Sequence, residues 1–303
     1  MIFCFCQISN KSEIAFTIDE KDLMPEGITY SSSTKFFYLS SINKTKIIKI
    51  NAETEEYQDF ISSEVLRMWV LGLAVDESNK VLWACTESVE DNPSKSAVAK
   101  FDLFTGKLLY SFEYVDTVKY LNNDLILDSE GNVYYTNRAN HSVSKIDISS
   151  NKVELILRDI AIEHPNGITI SPDDNYLYVA SATKGICIID IKKRELLKSN
   201  LSSSSNGIDG LKFYKQSLIG IQNGVQNKSD IKIIRYFLDS TLVKISREMI
   251  IDQDNPNFDV PTTFVIVNDN LFCIANSQLG NYSRKGIKDQ SILKAVKILK
   301  YKL

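Results

Sequence analysis

A repeat constrains this chain more than any other feature. A short apolar strand, a turn and a second apolar strand recur six times. They read EGITYSSSTKFFYLSS from Glu26, LGLAVDESNKVLWACT from Leu71, NDLILDSEGNVYYTN from Asn123, NGITISPDDNYLYVAS from Asn166, DGLKFYKQSLIGIQN from Asp209 and TFVIVNDNLFCIANS from Thr263. The starts lie 45, 52, 43, 43 and 54 residues apart. The turns inside each pair carry Asp, Ser, Gly, Asn and Pro, the residues that hairpins require. A third alternating run follows each pair, as in TKIIKINAE and GICIIDIKKRE, and most units add a fourth, such as LLYSFEY or VELILRD. Four strands per unit at this period are the sequence form of a propeller blade. Helix-period patterning is missing, which argues against a βαβ fold. The expected fold is all-β: a six-bladed β-propeller of four-stranded antiparallel blades.

The run EIAFTID precedes the first full unit, and the last unit is one strand short after AVKILKYKL. Pairing these N- and C-terminal strands closes the ring and removes exposed sheet edges. The lysines of KILKYK then read as solvated edge residues rather than a membrane or polyanion site. Residues 12–303 are expected to form one propeller domain, with 1–11 as a separate N-terminal segment. That segment opens MIFCFCQ, apolar but without a basic n-region. It reads either as the remnant of a signal peptide or as an untidy terminus, so both cytoplasmic and secreted or periplasmic locations stay open.

The formal net charge of −3 and the absence of DNA-reading patterns argue against nucleic acid as a partner. The apolar runs are strand-length, far short of the roughly 20 residues of a membrane-spanning helix. Cys85, Cys187 and Cys273 each lie in a strand-like run and read as small buried hydrophobes. Cys4 and Cys6 form C-x-C with nothing nearby to complete a metal site.

In each blade the innermost strand begins beside the central tunnel, so the residue ahead of it should point to the tunnel mouth. That column contains Glu26, Leu71, Asn123, Asn166, Asp209 and Thr263. Singly, Asn and Asp before Gly are common turn residues, and PNG at 165–167 or IDG at 208–210 would be tight turns. Four oxygen-bearing side chains in one repeat column, including a glutamate that turns do not favour, point instead to a metal site. Two carboxylates and two carboxamides suit a hard divalent cation, calcium best, with water or substrate completing about 6–8 oxygens. Magnesium or manganese are the other hard candidates; zinc fits less well without His or Cys in the column.

The segments PEGI at 25–28, NNDLILDSEGNVYYTN at 122–137, HPNGITISPDDNYLYVA at 164–180 and IDGLKF at 208–213 resemble the gluconolactonase, senescence marker protein and luciferin-regenerating enzyme family. Paraoxonases and strictosidine synthases share that architecture more distantly. The resemblance implies one divalent cation held by Glu26, Asn123, Asn166 and Asp209, with Asp209 as general base in lactone hydrolysis. Sugar-lactonase members carry an arginine two residues ahead of the first ligand asparagine, where this chain has Leu121. That departure argues against gluconolactone itself as substrate.

Arg138, Asn137, Glu87, Asn276 and His164 lie at strand ends facing the same opening and are the candidate substrate-binding residues. His141 is the other histidine near the mouth. The expected activity is hydrolysis of a small-molecule lactone or ester by a monomer. The alternative is a non-catalytic propeller that binds a ligand or protein and keeps a structural cation. No serine elbow, P-loop or dinucleotide fingerprint is present.

Overall fold

The structure is a computed structural model that describes residues 12–88, 94–116, 121–197, 205–224 and 231–303. The 1–11 segment, with Cys4 and Cys6, lies outside the described residues. Strand β1 (Glu13–Ile18) precedes the first blade. Blade 1 holds β2 (Ile28–Ser31), β3 (Phe36–Ser40), β4 (Ile47–Asn51) and β5 (Tyr57–Ile61). A single helical turn, α1 (Ser63–Leu66), leads to blade 2: β6 (Met68–Asp76), β7 (Val81–Ser88), β8 (Ser94–Asp102) and β9 (Leu108–Asp116). Blade 3 holds β10 (Asn122–Leu127), β11 (Val133–Asn137), β12 (Ser142–Asp147) and β13 (Lys152–Arg158). Blade 4 holds β14 (Pro165–Ile170), β15 (Tyr176–Ser181), β16 (Gly185–Asp190) and β17 (Glu195–Leu197). Blade 5 holds β18 (Ile208–Phe213), β19 (Ser217–Asn223), β20 (Ile231–Leu238) and β21 (Ile245–Gln253).

Blade 6 pairs β22 (Phe264–Val267), β23 (Asn270–Ile274) and β26 (Val296–Lys302), then takes β1 as its outermost strand. The ring therefore closes through the two termini, as the sequence pattern requires. The register runs from Glu13 opposite Lys300 to Ile18 opposite Val296. The lysines of this segment are not on an edge, because β26 is flanked by β1 and β23. Lys300 pairs with Glu13 at 2.6 Å, and Lys297 Nζ donates to Asn257 Oδ1 at 2.8 Å. Among the described residues no helix is long and apolar enough to cross a membrane.

Burial explains why each blade packs as it does. Middle strands are buried along their length, as in VYYTN of β11, whereas the outer strand β13 is largely exposed. Six apolar clusters fill the spaces between neighbouring blades, and the inner strands contact one another in a closed circle. Each large apolar side chain buried there contributes about 1.5–3 kcal/mol. Cys85, Cys187 and Cys273 belong to these clusters and are buried free thiols. Burial pushes the Cys85 thiol well above its usual range, so it behaves as packing rather than as a nucleophile.

The hairpins joining third and fourth strands share one device. Asn51, Asp102, Asp147, Asp190 and Asp239 each accept backbone N–H groups two or three residues ahead. The turn then closes through a left-handed residue: Glu55, Gly106, Asn151, Arg194 or Leu242.

Candidate metal centre

The column of the repeat lies in a backbone irregularity of the inner strands. Leu71, Asn123, Asn166 and Asp209 fall inside β6, β10, β14 and β18 rather than ahead of them. Glu26 and Thr263 lie just before β2 and β22. In the four strands that contain the column, the ladder skips at this point: Val70/Leu73, Asn122/Leu125, Pro165/Ile168 and Ile208/Leu211. A bulge leaves two residues unpaired and re-aims their side chains.

The glycines that follow the column are not turn glycines. Gly27, Gly72, Gly167 and Gly210 have no positive φ. They are needed because the next blade comes too close for a side chain. A Cβ on Gly210 would sit 2.8 Å from Thr263 Cα, and one on Gly72 2.7 Å from the Asn123 carbonyl oxygen. A Cβ on Gly167 would overlap the Asp209 carbonyl oxygen, and one on Gly27 that of Leu71. Each column residue is thus locked against its neighbour. Thr263 completes the circle by donating its hydroxyl to the Glu26 carbonyl at 2.9 Å.

Within this ring, four oxygens stand apart. Glu26 Oε2, Asn123 Oδ1, Asn166 Oδ1 and Asp209 Oδ1 are all buried without a hydrogen-bond partner. A buried polar atom left unsatisfied costs about 1–3 kcal/mol, so four from one repeat column call for a common partner. The environment is electrostatically costly too. Burial, then the Asp209 and Asp124 carboxylates, raise the Glu26 pKa well above its usual value. Burial also raises that of Asp209, against the Asn223 carboxamide, Arg138 and Asn166. A bound divalent cation would satisfy the four oxygens and offset the paired negative charge. All the donors are hard oxygens, and among the described residues no group of three His, Cys, Asp or Glu forms an alternative cluster. The residues present therefore fit a hard divalent cation.

Three supporting residues escaped sequence reasoning. Asn223, at the end of β19, donates to Asp209 Oδ2 at 2.7 Å and so orients the other oxygen. Its signal was available: it ends a second strand just as Asn137 does. Asp124 occupies the place that glycine takes in four other blades. Its carboxylate accepts from Leu125 N at 2.9 Å, Ile168 N at 3.3 Å and Lys212 Nζ at 3.3 Å. Lys212, on the inner strand β18, brings a positive charge that Asp124 balances.

The proposed rim residues fare unequally. Second strands end beside the column, as Asn122 opposite Asn137 shows, so the loops that follow them share its face. Arg138 lies there, exposed, and its charge lowers the pKa of both Glu26 and Asp209. Asn137 is buried in its own loop: its Oδ1 accepts from Leu121, Ala139 and Asn140 N–H groups, and its amide donates to Asn122. Asn276 is similarly occupied, donating to the Ala295 carbonyl and accepting from Lys297 N. Glu87 is buried and pairs with Arg284. His164 and His141 lie together, ring centroids 5.1 Å apart, with His164 N donating to His141 Nδ1.

The sequence profile of the SMP-30/gluconolactonase/LRE-like region matches residues 24–212, a span that contains all four of these residues. The chain belongs to this family. No curated protein matches it in sequence. Solved structures share the fold at low identity. The major Malassezia sympodialis allergen Mala s 1 aligns at TM-score 0.69 and 15% identity, over 94% of this chain and 96% of its own. The calcium-binding protein regucalcin from Agrobacterium tumefaciens aligns at 0.63 and 14%, over 95% of each chain. A Xanthomonas campestris gluconolactonase aligns at 0.62 and 13%, over 98% of this chain and all of the other.

Proposed function

We propose that this protein is a divalent-cation-dependent hydrolase of a lactone or related ester, with calcium as the cation. The observation that carries the reading is the set of four buried, unpartnered oxygens on Glu26, Asn123, Asn166 and Asp209. Membership of the family and the fold shared with a gluconolactonase and a calcium-binding regucalcin support it. When bound, the cation supplies Lewis acidity toward a carbonyl oxygen and lowers the pKa of water.

The chain's own residues do the rest. Glu26 and Asp209 supply two negative charges, while Asn123 and Asn166 supply neutral oxygens, so the ring matches a dication in charge. Asp209 is assigned to take a proton from the attacking water. It is buried in the ring, where its carboxylate would stand beside both the cation and the attacking water. Asn223 holds one of its oxygens in place. Arg138 stands at the rim as a cation that can meet the negative charge growing on the substrate.

Elemental analysis of purified protein, followed by a lactone panel, tests the reading. About one calcium per chain and turnover lost in Asp209→Asn are expected. Full activity in Asp209→Asn would remove its role as base. Calcium without turnover of any lactone or ester would leave a binding propeller with a structural cation.

A further inference from the structure

Blade 6 carries an excursion that the repeat does not explain. Between β23 and β26 the chain leaves the blade from Ala275 to Ala295 and forms a two-residue hairpin, β24 (Tyr282–Ser283) with β25 (Gly286–Ile287). This connection follows a second strand, so it lies on the face of the metal centre. Buried Gln278 ties its base: its side-chain amide donates to the carbonyls of Lys294 and Lys21, and its Oε1 accepts from Lys294 N. The tip reaches blade 2. There Arg284 pairs with Glu87 and lies 4.7 Å over the Trp69 ring, while Tyr282 meets the Trp69 edge at 6.0 Å. The excursion is a strap that runs from blade 6 past blade 1 to blade 2.

What the strap covers is the apolar side of the mouth. Leu279 and Tyr282 pack against the cluster that contains Leu71 and Trp69. Leu71 is the one apolar member of the column, and it sits between the blades that present Glu26 and Asn123. Leu121, half-buried two residues before Asn123, adds a further apolar group at the blade 2–blade 3 side. On the opposite side, blades 3 to 5 present Arg138, Asn166 and Asp209. The mouth thus has a polar half that could engage an ester group and, around Leu71, Leu121 and Leu279, an apolar half that favours an alkyl chain over hydroxyls.

We propose that the strap, through Tyr282 and Leu279 with Leu71 and Trp69, forms a specificity wall. It selects a lactone or ester bearing an apolar chain or ring on its non-reacting side, over a polyhydroxylated one. The proposal rests on the hydrolase reading for the ester group, but its wall is tested by binding.

The chain has two tryptophans, and of these Trp69 touches Tyr282 and Arg284 of the strap, so a ligand-induced change in the fluorescence of the calcium-loaded protein reports on Trp69. We would titrate γ-butyrolactone, γ-octalactone, γ-dodecalactone and gluconolactone. Affinity should rise about two- to fourfold per added methylene until the wall is covered, the increment expected of buried CH₂ groups. Gluconolactone should bind more weakly than γ-octalactone. Tyr282→Ala should flatten the chain-length series, and Tyr282→Phe, which keeps the ring, should restore it. Affinity independent of chain length would overturn the proposal, as would equal weakening of gluconolactone and alkyl lactones by Tyr282→Ala. A chain-length series without turnover of any lactone would leave the wall and remove the hydrolase. Turnover without a chain-length series would do the reverse.

Discussion

Asp147 and Asp209 are the same side chain used in opposite ways. Asp147 sits at a peripheral hairpin, where Ser149 and Ser150 donate to its Oδ1 and hold its pKa down at about 2. Asp209 sits at the ring, where burial raises its pKa and one oxygen is left without a donor. The hairpin carboxylate finds its hydrogen bonds within its own turn. The ring carboxylate has an appetite that the protein does not meet. The difference separates structure from site: a polar residue whose bonds are complete explains the fold, and one whose bonds are missing points outside the chain.

The sharpest way to break that comparison is to move the ring. Gly167→Ala places a methyl group against the Asp209 backbone, where neither blade can yield cheaply. We expect a loss of about 3 kcal/mol or more in urea unfolding, with loss of calcium binding. A near-neutral result would mean that the ring is pliable and its oxygens are not pre-positioned. Supplying the missing partner should have a comparable effect in the other direction. Calcium at 100 times its Kd should stabilise the protein by about 2.7 kcal/mol, read as a melting temperature that chelator lowers. Glu26→Gln removes one of two ligand charges and should weaken calcium affinity roughly 100-fold by calorimetry, a loss at the upper end of those measured for supporting residues of metal sites. An unchanged affinity would take Glu26 out of the site.

Much of this was legible in the sequence, because a propeller repeats its physics six times. The blades, the ring closure and the four-oxygen column follow from strand patterning and repeat alignment alone. The strap did not, because it occurs in one blade and has no period to reveal it. Nor did the reason for Asn166-Gly167 appear: a turn and a close approach both demand glycine, and only the neighbouring blade tells them apart. The same limit applies to Asn137 and Asn276. Their carboxamides are taken up by nearby groups, which spacing cannot show. Asn223 was missed because its importance comes from one bond to Asp209, formed across 14 residues.

Acid should separate the two kinds of carboxylate by sign. In chelated protein the folded pKa values of Glu26 and Asp209 lie above their unfolded ones, so the folded state holds those protons more tightly. Stability therefore rises as pH falls from neutrality toward the ordinary carboxylate range. For Asp147 the folded pKa is depressed, so its contribution is present above the unfolded value and fades as pH falls toward about 2. Melting temperature measured from pH 7 downward in chelator should first climb and then fall. Calcium should abolish the first rise, since the cation then competes with the protons. A monotonic decline in chelator would show that the ring carboxylates are already satisfied.

The smallest effect offers the cleanest contrast, because one substitution can be made in both places. The hairpin needs an oxygen acceptor first and a charge second. Blade 1 already uses Asn51 at the equivalent position, where Oδ1 accepts from Glu53 N at 2.8 Å and Thr54 N at 3.0 Å. Asp147→Asn should therefore lower the melting temperature slightly and leave the calcium response unchanged, while Asp147→Ala, which also removes the acceptor, should lower the melting temperature further and leave the calcium response intact. Asp209→Asn keeps an oxygen too, yet it should lose calcium affinity and turnover, because there the charge is what the site uses. Equal behaviour of the two Asp→Asn variants would mean that the ring aspartate is only a turn residue in an unusual place.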